Sequence, residues 1–404
     1  MRGILGLLLL LFMGSSVALV NIPLGTWRTH FSFNRITQVL DAGSRIYAVG
    51  ENGLFFIDLA DNSITTIGKI DGLQENNVSA IGFDPNKEQL IIGYVSGNID
   101  IVVQNEVISL DLVTNSQVLG SKRINHINSI NNLAFIATDY GLLELDLNRL
   151  EIRETYRQLG SNAEEITVYQ SLSMGDSIYL TTEVGVIASD ITIGLNLADP
   201  NNWRRFDESN GLPQVPYRFI TPFNNAPHVV GNDSIYRADG TNWGVIAELS
   251  FENLSSVQGN DENLVIVAER QVSTISRDYQ ATTLSNSSIT NPVDAIIANG
   301  LFYIADEDSG LLAGSEQGFE SIMPSGPNTN SIHRFKFFNN ALYALPGGFD
   351  EAKLPLGNTS GFNQFEQSVW RSTTDQGLMG NFIDVTDAAF DTQSSVSYYA
   401  TFGN

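Results

Sequence analysis

Residues able to carry chemistry are sparse in this chain, and none falls in a recognisable catalytic spacing. There are four histidines (His30, His126, His228 and His333) and no cysteine. A thiol nucleophile, a disulfide and Cys-ligated zinc or iron–sulfur chemistry are therefore excluded. No HExxH, G-x-S-x-G, Walker A or strand–helix GxGxxG sequence occurs. His30 falls in an expected N-terminal strand, His126 and His333 in or near expected inner strands, and His228 opens a strand, so a structural role is the simpler reading of each. Paired carboxylates occur at Glu164-Glu165 and Asp306-Glu307-Asp308, but among 45 acidic residues adjacency carries little information. Acid–base work needs a tuned pair across a cleft. Asp306-x-Asp308-x-Gly310 has the clustered oxygens of a calcium loop. It lacks the distal glutamate and lies on an expected hairpin turn, which favours a solvated turn. The residues thus predict no catalytic group, no metal and no cofactor, hence no enzyme, and they leave ligand-binding positions unassigned.

Aromatic residues offer a second kind of chemistry. Trp27, Trp203, Trp243 and Trp370 all fall in or near expected outer strands. They read as packing between sheets, or as platforms for sugar rings. Arg204-Arg205 beside Trp203 would suit the second reading, because an anionic glycan wants such a basic spot. Elsewhere the chain is acidic: 21 basic against 45 acidic residues give a net charge of −24. That balance repels phosphate backbones and argues against nucleic-acid partners.

The elements that must position these groups are repeats. IYAVGENGLFFID (46–58), LIIGYVSGNIDIV (90–102), AFIATDYGLLELD (134–146) and IYLTTEVGVIASD (178–190) align without gaps. Their shared glycines, Gly53, Gly97, Gly141 and Gly185, are spaced by 44 residues each time. Each unit reads as two alternating strands around a turn whose glycine permits positive φ. Flanking segments supply an inner strand (Ile36–Leu40 in the first unit) and an outer one (Ser63–Ile67). Weaker copies follow at 228–239, 264–276 and 302–315, with turns near Ser234, Gln271 and Gly310. The insertion Asn196–Trp203 reads as a polar loop. Further units begin at 341–348 and 397–404. No window after the N-terminus shows helical periodicity.

These readings predict an all-β fold: a seven-bladed β-propeller of four-stranded blades with repeats of about 44 residues, followed by an incomplete second propeller. Residues 1–18 form an export signal, with Arg2 as basic region, Ile4–Phe12 as apolar core, and Ser16 and Ala18 as the small pair before cleavage. The apolar run is too short to span a bilayer core of ~30 Å, and no later stretch would cross a membrane. The first propeller is placed at 19–325 and the start of a second, truncated one at 326–404. Thr26–Phe33 is expected to close the first ring as the outer strand of its seventh blade.

The opening PLGTWRTHFSFNRITQVLDAGSRIYAVGENGLFFID (23–58) and SGNIDIV (96–102) resemble PorZ-type proteins, exported Bacteroidetes components of the type IX secretion system. The connectors DGLQENNVSAI (71–81) and NGLPQVPYRFI (210–220) are similar to two-component-regulator propeller repeats. The resemblance implies a non-enzymatic protein of the outer membrane or cell surface, reached through the periplasm. It also implies two seven-bladed propellers and a C-terminal β-sandwich signal domain. Partners implied are a sortase-like protease and its associates, together with anionic lipopolysaccharide. Tyr399–Asn404 fills the six positions that precede Gly53 in the first unit, so the repeat is expected to be cut short here and the signal domain to be missing. Two other functions fit a propeller: the extracellular sensor of a hybrid histidine kinase, which would need a membrane helix and kinase motifs downstream, and an enzyme such as a lyase or glycosidase, which would need a charged constellation at one face.

Overall fold

The computed structural model describes residues 28–104, 106–110, 120–191, 195–231, 233–249, 251–373, 383–394 and 396–402. The expected export signal and Trp27 lie outside these residues. The chain divides into two compact units, Phe31–Pro324, and Ser325–Asn404 together with the segment up to His30.

Among the described residues of Phe31–Pro324, 28 strands form seven four-stranded antiparallel sheets, each built from consecutive strands in simple order. The sheets are arranged like propeller blades. Their first strands are Ile36–Asp41, Val78–Asp84, Ile124–Ile130, Val168–Met174, Phe219–Phe223, Leu254–Gly259 and Pro292–Ala298. Among the described residues helix is limited to three single 3-10 turns, Lys69–Asp71, Pro200–Asn202 and Glu208–Asn210. The third strands open at Gly53, Gly141, Gly185, Ser234, Gln271 and Gly310, where the repeat placed them. In the second sheet the turn is longer, and Gly97 lies two residues before its strand Ile99–Val103.

Burial on both faces explains why the second and third strands read as nearly continuous apolar runs. In the first sheet Ile46, Ala48, Phe55 and Ile57 pack toward the seventh sheet, against Tyr303, Ala305 and Leu311. Tyr47, Val49, Leu54 and Phe56 pack the other way, against Leu90, Ile92 and Tyr94 of the second. Fourth strands are mostly exposed, as in Ile64–Ile67. Sheets approach most closely at the first strands. A Cβ on Gly82 would lie 2.6 Å from Ile127 Cγ2 of the third sheet, so no larger residue fits.

Among the described residues the expected closing strand Thr26–Phe33 is not formed, Thr26 and Trp27 lying outside them. The outer strand of the seventh sheet is Gly318–Ile322 of its own segment, and Arg28–Phe33 has no strand pairing. Phe33 instead inserts its ring between the first and seventh sheets, edge-on to Phe55 at 5.2 Å. The Asn196–Trp203 insertion is not wholly polar either. Leu197 and Trp203 are buried against the third and fourth sheets, joined by a 2.8 Å bond from the Trp203 indole N–H to the Leu197 carbonyl.

In the other unit, Arg334–Phe338, Ala341–Leu345, Phe362–Glu366 and Val369–Thr373 form a four-stranded sheet, and Asp387–Asp391 pairs with Val396–Ala400. Phe338 stacks on Phe390 at 4.4 Å.

Candidate binding site at the channel mouth

The first strands of the first six sheets line a central cavity of about 450 Å3, to which His126, Asn128, Gln170, Thr221 and Gln258 contribute. Among the described residues no ladder joins one sheet to the next, and side chains bridge the gaps. Gln38 donates to the Ser79 carbonyl at 2.9 Å. Asn128 accepts from the Ser173 N–H at 3.0 Å, and Gln170 from that of Ile220 at 2.8 Å. Asp294 accepts the Val39 N–H at 3.0 Å and also the Ser256 hydroxyl, so it joins the seventh sheet to the first and the sixth. Most of the polar lining is therefore already engaged in holding sheets together.

His126 accepts weakly from the Ser171 N–H at 3.4 Å, and burial pushes its pKa down to about 4. His228 is also held near 4, chiefly by burial and opposed by its bond to the Ala226 carbonyl. His30 lies outside any strand and accepts the Trp370 indole N–H at 3.0 Å. His333 immediately precedes Arg334–Phe338. Among the described residues no histidine bonds to a hydroxyl or carboxylate side chain, so no nucleophile–base pair is assembled.

The candidate aromatic platforms are interior groups. Trp203 and Trp243 are buried between sheets, and Trp370 is half-buried against His30 and Phe365. Arg204 is exposed, whereas Arg205 turns inward and donates to the Leu159 carbonyl at 2.7 Å. Successive strand side chains face opposite ways, so the pair cannot act together. In Asp306-x-Asp308-x-Gly310 the Asp306 carboxylate is also spoken for. Asp306 is buried and accepts the N–H groups of Thr290, Asn291, Asp308 and Ser309 at 2.8–2.9 Å.

Sequence reasoning missed the charge pattern where the first strands begin. The residue just before the first strand is Arg35, Arg123 and Arg218 in the first, third and fifth sheets, and Asn or Thr in the other four. A bulge follows in the first strand of six of these sheets, as at Ile36/Gln38 and Val78/Ala80, and bulges re-aim strand ends. Acids follow the second strand in five sheets: Glu51, Asp139, Glu183, Glu269 and Glu307. Arg35 is neutralised by Glu307 at 2.7 Å and Glu51 at 3.4 Å. Arg123 and Arg218 are exposed and have no ion pair among the described residues. Arg218 opens onto a cavity of about 940 Å3 walled by Pro213, Val215, Pro216, Tyr217 and Phe219. Its guanidinium also lies over the Tyr169 ring, 5.7 Å from the centroid, and a cation beside an apolar and aromatic wall suits an amphipathic anion.

Residues 46–204 match the N-terminal β-propeller domain family of PorZ, of the type IX secretion system. Over that stretch the chain is similar to PorZ-type propellers. Among solved structures it is similar to PorZ, an essential bacterial surface component of the type-IX secretion system of human oral-microbiomic Porphyromonas gingivalis. The TM-score is 0.75 at 22% identity, over 94% of this chain and 51% of that one. This chain thus spans about half the length of that relative. The WD40 β-propeller domain of Doa1 is similar in fold alone, with a TM-score of 0.50 at 12% identity over 71% of this chain and 94% of that one. BamB from Moraxella catarrhalis gives 0.47 at 14% identity, over 69% and 82%. A search of curated proteins returns no match. Among the described residues no helix is long and apolar enough to cross a membrane.

Proposed function

We propose that this PorZ-type chain is a non-enzymatic binding and scaffold component of a type IX secretion attachment complex, exported and held at the outer membrane or cell surface. The observation that carries the reading is the family match over 46–204 on a matching fold. Phe31–Pro324 acts in this reading as a closed seven-bladed ring. The Val39–Asp294 bond, the Arg35–Glu307 pair and the cluster shared by the first and seventh sheets support closure.

The sheet at 334–373 begins a second propeller. It repeats a device of the second sheet, in which Asp100 accepts the Gln74 N–H and the Ser109 hydroxyl. Asn363 accepts the Asn328 N–H and the Ser372 hydroxyl in the same way.

The mouth carrying Arg123 and Arg218 takes anionic lipopolysaccharide, and the outer faces take the sortase-like protease and its associates. Phosphate and carboxylate groups pair well with exposed guanidinium forks. The test is binding of purified anionic lipopolysaccharide to the immobilised protein, with neutral lipopolysaccharide as control. Salt-sensitive binding, weakened about tenfold or more in Arg123→Ala/Arg218→Ala, is expected. Equal affinity for both polysaccharides, or for both proteins, would remove the ligand assignment. A deletion strain that still anchors its cargo would remove the secretion role.

A further inference from the structure

Six carboxylates are buried among the described residues: Asp84, Asp100, Glu144, Asp294, Asp306 and Asp384. Five of them have close donors. Asp100 accepts from Tyr94 at 2.6 Å, Ser109 at 2.6 Å and the Gln74 N–H at 2.9 Å. Glu144 accepts from Tyr156 and pairs with Arg153 at 2.9 Å. Asp384 accepts two backbone N–H groups, of Gly357 at 2.7 Å and Asn358 at 3.0 Å. Asp294 and Asp306 have the donors described above. Asp84 is the exception. It is 0% exposed; its Oδ1 meets only the two nitrogens of Asn86, each at 3.4 Å, and its Oδ2 has no hydrogen-bond partner. A buried carboxylate without a partner is strongly disfavoured.

Two further oxygens share its position. Gln89 sits directly opposite Asp84 across the hairpin, is buried, and leaves its Oε1 without a partner. On this face of the second sheet Gly82 abuts Ile127 of the third, so Asp84, two residues on, faces the same sheet. Ser129, two residues beyond Ile127, pairs with Ala134, which faces back into the same apolar cluster. The Ser129 hydroxyl is buried and also has no partner.

We propose that Asp84, Gln89 and Ser129 form a binding site for a hard cation of the calcium class at the junction of the second and third sheets. The donor set is all oxygen and carries one negative charge, the chemistry that calcium selects. A cation there would neutralise the buried charge and tie the 84–89 hairpin to the neighbouring sheet. The oxygen-rich 306–310 turn is not this site, because backbone N–H groups occupy its buried carboxylate.

The test is thermal unfolding and calorimetric titration of the whole protein with calcium chloride or magnesium chloride, against EDTA. Calcium at about 1 mM is expected to raise the melting temperature by about 2–4 °C and to bind at one site per chain. Asp84→Asn is expected to lose the response, and Asp308→Asn, in the exposed turn, to keep it. If Asp84→Asn fails to fold, Gln89→Met serves in its place, with affinity weakened about tenfold. The proposal is overturned by no calcium response in the parent, which leaves the Gln89 amide or a water as the partner of Asp84. A response lost in Asp308→Asn and kept in Asp84→Asn overturns it equally.

Discussion

Gly141 shows how tightly one residue is bound to its place. Its φ is +133°, and a Cβ there would lie 2.2 Å from the Tyr156 carbonyl oxygen. Gly185 has φ +115°, with nothing closer than 3.7 Å. Gly185→Val should cost about 1–3 kcal/mol from backbone strain alone, and Gly141→Val about 3 kcal/mol or more, since backbone must also move. Urea melts of the two variants check the order; equal losses would refute it. Asp306 makes a pH argument at the same scale. Burial would raise its pKa, but donors from Asn291, Asp308 and Thr290 hold it below the ordinary carboxylate value. Since the folded value lies below the unfolded one, its stabilisation is complete above about pH 4–5 and is lost as pH falls through the folded value. Asp306→Asn should lose about 1–3 kcal/mol at pH 7, and its gap from the parent should narrow on acidification below about pH 4. A gap that stays constant with pH would contradict this.

The connectors between sheets are elements in their own right. Lys69–Asp71 and Glu208–Asn210 are single 3-10 turns, each ended by a glycine in the left-handed region, Gly72 at φ 113° and Gly211 at φ 82°. The turn delivers the next residue inward. Leu73 joins the cluster between the first and second sheets, and Leu212 that between the fourth and fifth. The Gly-Leu pairs were legible in the sequence as a motif; their work as plugs between sheets was not. Leu212→Ala should cost about 2–5 kcal/mol by opening a cavity. Leu195→Ala, 39% exposed, should stay within about 0.5 kcal/mol of the parent. Denaturant titration distinguishes them, and a near-neutral Leu212→Ala would show that the connector is passive.

At the scale of the molecule the two units differ in how well their apolar faces are covered. Within Phe31–Pro324 every sheet packs on neighbours through a buried cluster. In the unit containing 325–404, Phe335 and Phe337 on one strand are 58% and 73% exposed. Exposed apolar strand residues promote association. Limited proteolysis should leave a resistant core close to Phe31–Pro324, with cuts beyond Ser325. Light scattering should show concentration-dependent association that Phe335→Ser/Phe337→Ser reduces. Uniform resistance through residue 402, or association unchanged in the variant, would show that this face is covered.

The strands, hairpin turns and order of the sheets were legible because they are encoded locally. Alternation and a glycine at each turn are properties of neighbouring residues, and the period of 44 repeats them. Even the weak copies at Ser234, Gln271 and Gly310 fell where the third strands begin. Which side chains meet between sheets was decided only in the folded chain. Arg35, Arg123 and Arg218 lie far apart in sequence and take equivalent places only once each first strand has its start. Asp84 and Ser129 come to lie on the faces that the second and third sheets turn to each other, where Gly82 lets Ile127 come close. Trp203 and Trp243 were taken by packing rather than by solvent, and the seventh sheet took its outer strand from 318–322 rather than from the N-terminus. Local periodicity sets what each residue pair can form; the rotation of one sheet against the next sets which distant groups are buried together, and no spacing along the chain records that angle.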